Sequence, residues 1–310
     1  MKDLNNVSAV LVTEEEAGQR IDNYLLRVCK GVPRSHIYRI LRSGEVRVNS
    51  RRVAATYRLR EADRMRIPPI RLAAVSQAQI QARTRPMEFP VAFQDDAILV
   101  IDKPAGVAVH GGSGISNGII ESLRASRPEV RFLELVHRLD RDTSGLLLLA
   151  KKRSALAELH EQMRSGAVFK RYIALVLGAW EGGARVVSLP LRKYLNPTGE
   201  RRVSVDRLEG SEAVTEFAPE RKFEGFTLLS ARLRTGRTHQ IRVHLAHLGF
   251  PIAGDEKYGI FERNRILAKQ GLRRMFLHAA ELRFRHPVGG ETVAFERPLP
   301  VDLKRFLETL

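Results

Sequence analysis

The sequence predicts an α+β chain made of two domains, a small helix–helix–hairpin module followed by a larger domain in which strands dominate. Its 310 residues exceed the length of one average domain. Helical stripes open the chain, whereas short apolar runs with the length of strands fill most of the remainder. The segment between them is rich in Ala, Gln and Arg and shows no strong periodicity. We therefore predict domains at residues 1–70 and 89–310, joined by a linker at 71–88.

The first domain begins with a capping-box pattern at Thr13–Glu16, which predicts a helix start there. A second helix follows, with Ser35 as its expected N-cap and Gly44 placed to end it. The apolar stripe of this second helix consists of Ile37, Ile40 and Leu41. A hairpin is expected next, and the residues that predict it are Val46, Val48, Asn49–Ser50 and Met65–Ile67.

The second domain is expected to begin near Phe89 and to contain many strands with helices between them. The apolar runs that predict strands are Ile98–Ile101, Gly145–Ala150, Tyr172–Leu177 and Phe226–Leu233. Two segments have helical periodicity, at Ser154–Met163 and Gln240–His247. This mixture predicts an α+β domain.

Charge is the strongest global signal in the sequence. Lys plus Arg number 52 against 35 for Asp plus Glu, a net charge of +17, and 41 of the 52 basic residues are arginine. Residues 27–71 alone contain 13 basic and 3 acidic side chains. A field of this sign attracts polyanions, and arginine suits bidentate phosphate contacts and stacking on bases. We therefore expect a nucleic-acid partner and regard solubility alone as the weaker explanation.

Several classes of protein are excluded by composition. The single cysteine, Cys29, has no partner for an internal disulfide, and no Cys/His cluster has zinc spacing, which favours a reducing compartment. The first 16 residues carry acids and no long apolar core, unlike a signal peptide or a membrane anchor. Apolar runs such as Leu146–Ala150 are far too short to span a membrane. These features predict a cytoplasmic protein without membrane contact.

The densest polar cluster is the loop His137–Gly145, directly before the apolar run that begins at Leu146. Asp140 lies there between arginines, whose positive charge favours the ionised carboxylate. An ionised, positioned aspartate can serve as a nucleophile or a general base. A structural ion pair that holds the loop explains the same residues equally well.

A second cluster, Arg234–His244, contains Arg242, which can pair with a distant carboxylate or hold a phosphate. Thr238 is the expected cap of the helix that follows. The histidines of this region are His239, His244 and His247. Because no acidic ligand is nearby, a metal site is a weaker interpretation of them than structural or RNA-facing histidines. Tyr172 begins a strand after a basic pair, and it is either a packing residue or a platform for a base.

Three segments of the first domain, Gln19–Leu25, Pro33–Ile37 and Ile40–Asn49, follow a recognisable pattern. The domain resembles an S4 RNA-binding domain over about 50 residues. The resemblance implies RNA binding through the two helices and the following hairpin. The side chains expected to face the RNA are Arg34, Ser35, Arg39 and Arg42. Any one of these arginines alone is better explained as a solvated surface charge, so the prediction depends on the cluster.

Four motifs follow one another along the sequence of the larger domain: Lys103–Gly106, His137–Gly145, Lys170–Gly178 and Gly236–Arg242. Together they resemble the RluA family of pseudouridine synthases, and the resemblance covers roughly residues 89–300. It implies a catalytic domain built on a mixed or antiparallel sheet. It also implies that uridine is converted to pseudouridine within an intact RNA chain.

The resemblance assigns roles by position. Asp140 matches the essential aspartate, which can attack C1′, attack C6 or remove the 2′ proton. Arg242 matches the arginine paired with that aspartate, Arg138 the arginine that fills the place of the flipped base, and Tyr172 the tyrosine that stacks on the uracil. Further RNA contacts are expected at Lys103, Arg237 and His239.

An S4 domain in front of such a catalytic domain implies large-subunit ribosomal RNA, free or in a pre-ribosomal particle, as the substrate. The resemblance implies no cofactor and no metal, and we expect a monomer. The basic stretch Arg192–Arg202 has turn signals at its centre and predicts a hairpin that clamps RNA, although an exposed charged turn explains it equally well. Two other functions stay open. Release of free uracil would indicate an RNA uracil N-glycosidase, and no effect of Asp140→Asn would indicate a non-catalytic RNA-binding or ribosome-assembly protein.

Overall fold

A computed structural model describes residues 6–29, 32, 34–70, 87–111, 118–197 and 199–310 of the chain. The chain divides into two compact units, residues 1–83 and 84–310. The expected linker at 71–88 lies outside the described residues except for its last two positions. Each unit has its own hydrophobic core.

The first unit packs two helices against a three-stranded antiparallel sheet. Its helices are α1 (Ile21–Val28) and α2 (Arg34–Arg42), and its strands are β1 (Ser8–Leu11), β2 (Arg47–Val48) and β3 (Arg64–Ile67). The predicted stripe of α2 faces inward, since Ile37, Ile40 and Leu41 are all buried. Strands β2 and β3 pair as the expected hairpin. Strand β1, which the sequence reasoning did not predict, pairs with the other side of β3.

Two local expectations in this unit are wrong. The capping-box residues close a single 3-10 turn at Glu14–Glu16, because the chain becomes extended directly after it, and the helix proper begins at Ile21. Ser35 lies inside α2 rather than at its N-cap, because the helix already begins at Arg34. Both errors concern where a helix starts, and neither changes which residues form the core.

The second unit is a mixed sheet with helices on its faces. Its strands are β4 (Val91–Gln94), β5 (Ile98–Lys103), β6 (Glu134–Leu135), β7 (Ser144–Ala150), β8 (Phe169–Leu177), β9 (Arg185–Ser188), β10 (Leu191–Leu195), β11 (Arg201–Val205), β12 (Val214–Phe223), β13 (Phe226–Leu233), β14 (Leu277–Arg285) and β15 (Thr292–Glu296). Its helices are α3 (Ile119–Ser126), α4 (Arg153–Arg164), α5 (Gln240–His247), α6 (Phe261–Lys269) and α7 (Val301–Leu307).

The strand order in the large sheet is β4–β5–β7–β14–β8–β13–β12–β9, with β6 beside β7 and β15 beside β14. Strands β7 and β14 pair in parallel, and the other described pairs are antiparallel. The predicted α+β fold with a mixed, mainly antiparallel sheet is therefore confirmed.

Strand β7 is buried along its whole length because both faces of the sheet are covered there. Leu147 and Leu149 belong to the core that includes Ile120 of α3, whereas Leu148 belongs to the core that includes Leu159 of α4. Successive side chains of a strand point to opposite faces, so a strand with two covered faces needs an unbroken apolar run.

The junction of β7 and β14 fixes the loop that precedes β7. The two strands pair only at Ser144–His278 and Gly145–Ala279. Gly145 has a φ of +107°, and a Cβ at this position would lie 2.2 Å from the carbonyl oxygen of Ala279. Since only glycine permits this approach, the loop 137–143 enters the sheet at a set point beside β14.

The helix predictions for this unit are close to the structure. Helices α4 and α5 match the segments predicted at Ser154–Met163 and Gln240–His247 to within one residue. The predicted cap, Thr238, is wrong. The N-cap of α5 is His239, which adopts a left-handed conformation with a φ of +55° and a ψ of +21°.

Strands β10 and β11 form the hairpin predicted from the basic stretch 192–202. Thr198, part of its predicted turn, lies outside the described residues. Hydrogen bonds from both sides join the hairpin to the segment after α5, and Lys257 Nζ donates to the carbonyl of Arg201 at 2.6 Å. The Arg202 guanidinium donates to the carbonyl of Lys257 at 2.9 Å, and the Val203 N–H donates to the hydroxyl of Tyr258 at 3.0 Å.

Candidate active site

A cleft of about 570 Å³ opens in the second unit where the loop before β7 faces the loop before α5. Ligand pockets commonly have this size. Residues 136–140 and 233–242 line the cleft, together with Lys170 and Tyr172 of β8. The predicted site residues among the lining are Arg138, Asp140, Tyr172, Arg237, His239 and Arg242. The fold therefore brings the separate sequence clusters to one place.

Arg242 joins two carboxylates in this cleft. Its Nη1 donates to Oδ2 of Asp140 at 3.0 Å, across 102 positions of the chain. Its Nε and Nη2 donate to the two carboxylate oxygens of Asp255 at 2.7 and 2.8 Å. Because the bidentate pair fixes the plane of the guanidinium, an N–H of Nη1 is aimed at Asp140.

Charge balance keeps Arg242 and Asp255 ionised. Burial alone would raise the pKa of Asp255, but the hydrogen bonds and charge of Arg242 hold that pKa below its usual value. Burial would likewise lower the pKa of Arg242, and its two carboxylate partners raise it instead. The Asp140 side chain remains 23% exposed, so it can be reached from the cleft. A reachable carboxylate beside a permanent cation is suited to act as a nucleophile or a base.

Lys103 does not line the cleft, which corrects the expectation that it contacts RNA. It is fully buried, and its Nζ donates to the carbonyl oxygens of Pro104, Arg141 and Thr143, each at 2.8 Å. Burial lowers the pKa of Lys103 to about 7, while the three carbonyl acceptors favour its protonated form. Two of these acceptors, Arg141 and Thr143, follow Asp140 in the same loop, so Lys103 holds the loop that carries Asp140.

Tyr172 lines the cleft from β8 and is 6% exposed. Burial, with the nearby charge of Asp140, raises the pKa of its hydroxyl group. A phenol that stays protonated can stack on a base or donate a hydrogen bond, whereas it is unsuited to remove a proton at neutral pH.

His239 lies beside Asp140, with 3.9 Å between its Nε2 and Oδ1 of the carboxylate. Burial lowers the pKa of His239 although the charge of Asp140 opposes this, so the ring is neutral near pH 7. Its Nδ1 lies 2.7 Å from the hydroxyl of Tyr258, whose oxygen already accepts the N–H of Val203. The phenol hydrogen can donate to Nδ1, and in that tautomer the imidazole hydrogen lies on Nε2, facing Asp140. A left-handed conformation at a residue other than glycine is a strain found mostly at functional sites.

Arg138 and Arg237 are exposed at the cleft, where guanidinium groups can bind phosphate. The Nε of Arg237 donates to the carbonyl of Glu212 at 2.8 Å. Gln240 fixes this loop, because its Oε1 accepts from the backbone N–H of Arg237 and its Nε2 donates to β12.

Asp255, Tyr258 and Gln240 shape the site, and the sequence reasoning predicted a role for none of them. The first two belong to the segment Gly254–Gly259, in which an aspartate follows one glycine and a second glycine closes the segment. Gly254 has a φ of +76°, and a Cβ there would lie 2.2 Å from the carbonyl oxygen of Arg274. An acidic residue beside a glycine, in a basic chain, is the signal that could have pointed to this segment.

In the first unit, Ser35, Arg39 and Arg42 are exposed on α2. Arg39 lies 3.7 Å from the carboxylate of Glu45, and an ion pair this exposed is weak. Arg34 begins α2, but its side chain lies outside the described residues. The exposed arginines of α2 are therefore available to a polyanion.

Within the residues that the structure describes, no group of three or more His, Cys, Asp or Glu side chains could hold a metal ion. In the same parts of the chain, no helix is long and apolar enough to cross a membrane. Cys29 is a buried free thiol, and burial raises its pKa to about 11, which makes it unreactive.

Two family models match the chain. The model described as RNA pseudouridylate synthase matches residues 97–247. This range includes both loops of the cleft, the one that carries Asp140 and the one that leads into the helix of Arg242. The model of the S4 domain matches residues 19–64, which include α1, α2 and the hairpin of the first unit.

Relatives match over nearly the whole length. Ribosomal large subunit pseudouridine synthase C of Yersinia pestis is 52% identical over 307 residues, which are 98% of this chain and 96% of that protein. The protein of the same name from Escherichia coli strain K12 is 51% identical over 310 residues, covering 98% of this chain and 97% of that one. A solved structure titled "Human RNA Pseudouridylate Synthase Domain Containing 4" is 26% identical in sequence and has a TM-score of 0.58. The match covers 74% of this chain and 95% of that chain.

Proposed function

The chain belongs to the RNA pseudouridylate synthase family, and from this premise we propose that it isomerises specific uridines to pseudouridine in 23S ribosomal RNA. The observation that carries the proposal is the pairing of Asp140 with the doubly anchored Arg242 in a cleft that Tyr172 also lines. Relatives that cover nearly the whole chain are named for the large ribosomal subunit, which supports that RNA as the substrate.

The reaction exchanges one bond of the nucleotide for another. The C1′–N1 bond breaks, the uracil turns, C5 bonds to C1′, the proton leaves C5 and N1 gains one. Asp140 is the proposed essential carboxylate, and attack at C1′, attack at C6 and removal of the 2′ proton are the three ways in which it can begin. The product is an isomer of the substrate, so we propose no redox cofactor and no metal.

The target base has to leave its stack before it reaches the cleft, which costs a few kcal/mol unless it is already unpaired. Arg138, exposed at the cleft, is proposed to fill the vacated place and to stack on the neighbouring bases. Tyr172 is proposed to stack on the flipped uracil, since its ring lines the cleft. Arg237 and His239 are proposed to contact the same nucleotide or its phosphates.

The first unit is proposed to bind the same RNA through α2. Ser35, Arg39 and Arg42 are exposed there, and Arg34 completes the proposed set. The substrate is proposed to be large-subunit RNA, either free or within a pre-ribosomal particle. The protein is proposed to act as a cytoplasmic monomer, since one chain carries both the S4 unit and the cleft.

The test compares the wild type with Asp140→Asn on unmodified 23S ribosomal RNA. Pseudouridine is mapped by carbodiimide labelling and primer extension. We expect stops at a few uridines with the wild type and none with the variant, while both proteins bind the RNA. Lys222→Met, on an exposed strand position away from the cleft lining, is the matched control and is expected to give the wild-type pattern.

Two other outcomes would assign a different function. Free uracil in the reaction, with a loss of base from the RNA, would indicate an N-glycosidase. Tight binding without stops on free RNA and on pre-ribosomal particles would indicate a ribosome-assembly protein. RNA binding alone does not explain why Asp140, Tyr172 and Arg242 are assembled in one cleft.

A further inference from the structure

Two lysines of the catalytic unit are buried, and they differ in their partners. Lys103 donates to three carbonyl oxygens at 2.8 Å. Lys170 is 8% exposed, and among the described residues its Nζ has the sulfur of Met163, 3.8 Å away, as its hydrogen-bond partner. A thioether is a weak acceptor, so the hydrogen-bonding capacity of the Lys170 ammonium is left largely unused.

The Lys170 ammonium lies at the cleft. Lys170 and Tyr172 are two positions apart on β8, so they share one face of the sheet, and both line the cleft. A methyl group built on Gly236, another lining residue, would lie 3.8 Å from Nζ. Because Gly236 has no side chain, the space in front of the ammonium stays open to a ligand.

Burial of an ammonium without a carboxylate is unfavourable. Burial lowers the pKa of Lys170, and the nearby positive charge of Lys170 also helps to lower the pKa of His137. A cation in this position weakens the folded state unless something else in the cleft supplies negative charge. A substrate that develops negative charge would be such a group.

We propose that the Lys170 ammonium donates to a carbonyl oxygen of the flipped uracil and stabilises the negative charge that the ring gains in the reaction. The inference rests on the proposed function. When the C1′–N1 bond breaks, its electron pair goes to the uracil and spreads from N1 onto the ring oxygens. When C5 bonds to C1′, the C5 proton leaves, N1 is protonated and the charge is lost. Lys170 keeps its own proton throughout.

A uracil oxygen fits this position better than a phosphate oxygen. Lys170 is buried beside Tyr172, where the base is proposed to stack. Three other arginines of the cleft, Arg138, Arg234 and Arg237, are exposed and suit the phosphates that stay outside the cleft, whereas the buried Arg242 is already paired with two carboxylates. A preorganised donor in a buried site is worth most when it faces charge that appears only in the transition state.

The test is Lys170→Met in single-turnover assays and in thermal unfolding. We expect kcat to fall about 100-fold, as for other single donors to a developing anion, with KM within threefold of the wild type. The unfolding midpoint is expected to stay the same or to rise, because an apolar side chain replaces a buried charge with no carboxylate partner. Lys222→Met, an exposed lysine on β12, is the matched control and leaves all three quantities unchanged.

Two results would overturn the assignment. Wild-type activity in Lys170→Met would show that the ammonium has no part in the reaction, and a raised KM with unchanged kcat would indicate a phosphate or another ground-state contact. If the Met variant does not fold, Lys170→Gln gives the same test with a neutral polar side chain. Absence of pseudouridine with the wild type would instead contradict the proposed function, and the unfolding result would then still show whether Lys170 is a structural cation.

Discussion

At the scale of single residues, Asp255 decides where the guanidinium of Arg242 can point. Asp255 is buried and also accepts the backbone N–H groups of Lys257 and Tyr258, at 2.8 and 3.1 Å. Its position is therefore set by the backbone of the Gly254–Gly259 segment. Through Arg242, that segment determines how Asp140 is presented to the cleft.

We expect Asp255→Asn to slow pseudouridine formation about 100-fold with little change in RNA affinity, because a small misalignment of a reacting group has effects of this size. Single-turnover assays and filter binding on 23S ribosomal RNA measure the two quantities. Asp302→Asn, at an exposed carboxylate of α7, is the control and is expected to change neither. Full activity of Asp255→Asn would show that Arg242 needs no second carboxylate.

Asp255 also makes stability depend on pH in the acid range. Its pKa in the folded state lies below the ordinary value of 3.8, so the unfolded chain binds its proton more readily. The carboxylate therefore stabilises the protein above pH 3.8, and this contribution is lost as the pH falls through the lower, folded-state pKa. We expect Asp255→Asn to lose about 3 kcal/mol near pH 7 and less at pH 3, with the difference shrinking as the pH falls further. Urea unfolding of the wild type and the variant between pH 3 and pH 7 measures this loss of stability. A difference in unfolding free energy that does not change with pH would contradict the prediction.

The sequence predicts the residues of the site whose chemistry is visible in a local motif. Asp140, Arg242 and Tyr172 line one cleft as expected. Lys103 looked like an RNA contact because charge in a loop suggests exposure, but its three carbonyl partners come from its own turn and from a loop up to 40 positions away. Such a contact exists only after the loops have folded together, so no local pattern records it.

At the scale of secondary-structure elements, the approach of β7 to β14 holds the Asp140 loop in place. Gly145→Ala would put a Cβ 2.2 Å from the Ala279 carbonyl oxygen at a φ of +107°. We expect a loss of about 2 kcal/mol or more from the overpacking, with a fall in activity because the loop shifts. Gly183→Ala, where no atom lies within 4 Å of the added Cβ, is the matched control. Urea unfolding of both variants tests this, and equal midpoints would show that the junction tolerates a side chain.

The β10–β11 hairpin is the second element for which a function is expected. Its strand β11 is hydrogen-bonded to Lys257 and Tyr258, which follow the carboxylate that orients Arg242, while Lys193 on β10 is exposed. If the hairpin clamps RNA, Lys193→Glu raises the RNA dissociation constant several-fold and lowers the slope of its salt dependence by about 1, with kcat unchanged. Lys269→Glu, exposed on α6, has the same charge change and serves as the control. Equal affinity for the two variants would leave the hairpin as a charged turn.

Elements with a clear period and clear ends were predictable. Helices α4 and α5 were predicted to within a residue because their apolar positions repeat over at least two turns. The capping box at Thr13–Glu16 wrongly predicted the start of an α-helix, because its hydrogen bonds are already formed by a single 3-10 turn. The parallel pairing of β7 with β14 joins Ser144 to His278, 134 positions apart, and such a pairing depends on the whole sheet.

At the scale of the whole molecule, charge and core are distributed differently. The buried clusters use residues 10–70 in the first unit and 89–306 in the second, so each unit is stabilised by its own core. The net charge of +17 extends over the chain, with 13 basic and 3 acidic residues in 27–71. Affinity for RNA is therefore expected to come from many phosphate contacts, whereas the isomerisation depends on a few residues in one cleft.

This division predicts how two surface substitutions act in the full-length protein. The double variant Arg39→Gln and Arg42→Gln removes two exposed charges from α2 without touching its buried stripe. If both arginines contact phosphates, the salt dependence of RNA binding loses about 1.5 from its slope, since each contact to RNA contributes about 0.7 to 0.9.

With the cleft unchanged, kcat at saturating RNA stays at the wild-type value and KM rises. The matched control, Arg263→Gln and Arg265→Gln on α6, removes the same charge from exposed positions that do not line the cleft. If the α2 variant and this control have the same slope in the salt dependence of RNA binding, the first unit binds RNA through another surface. A fall in kcat would mean that α2 acts on the chemical step as well as on binding.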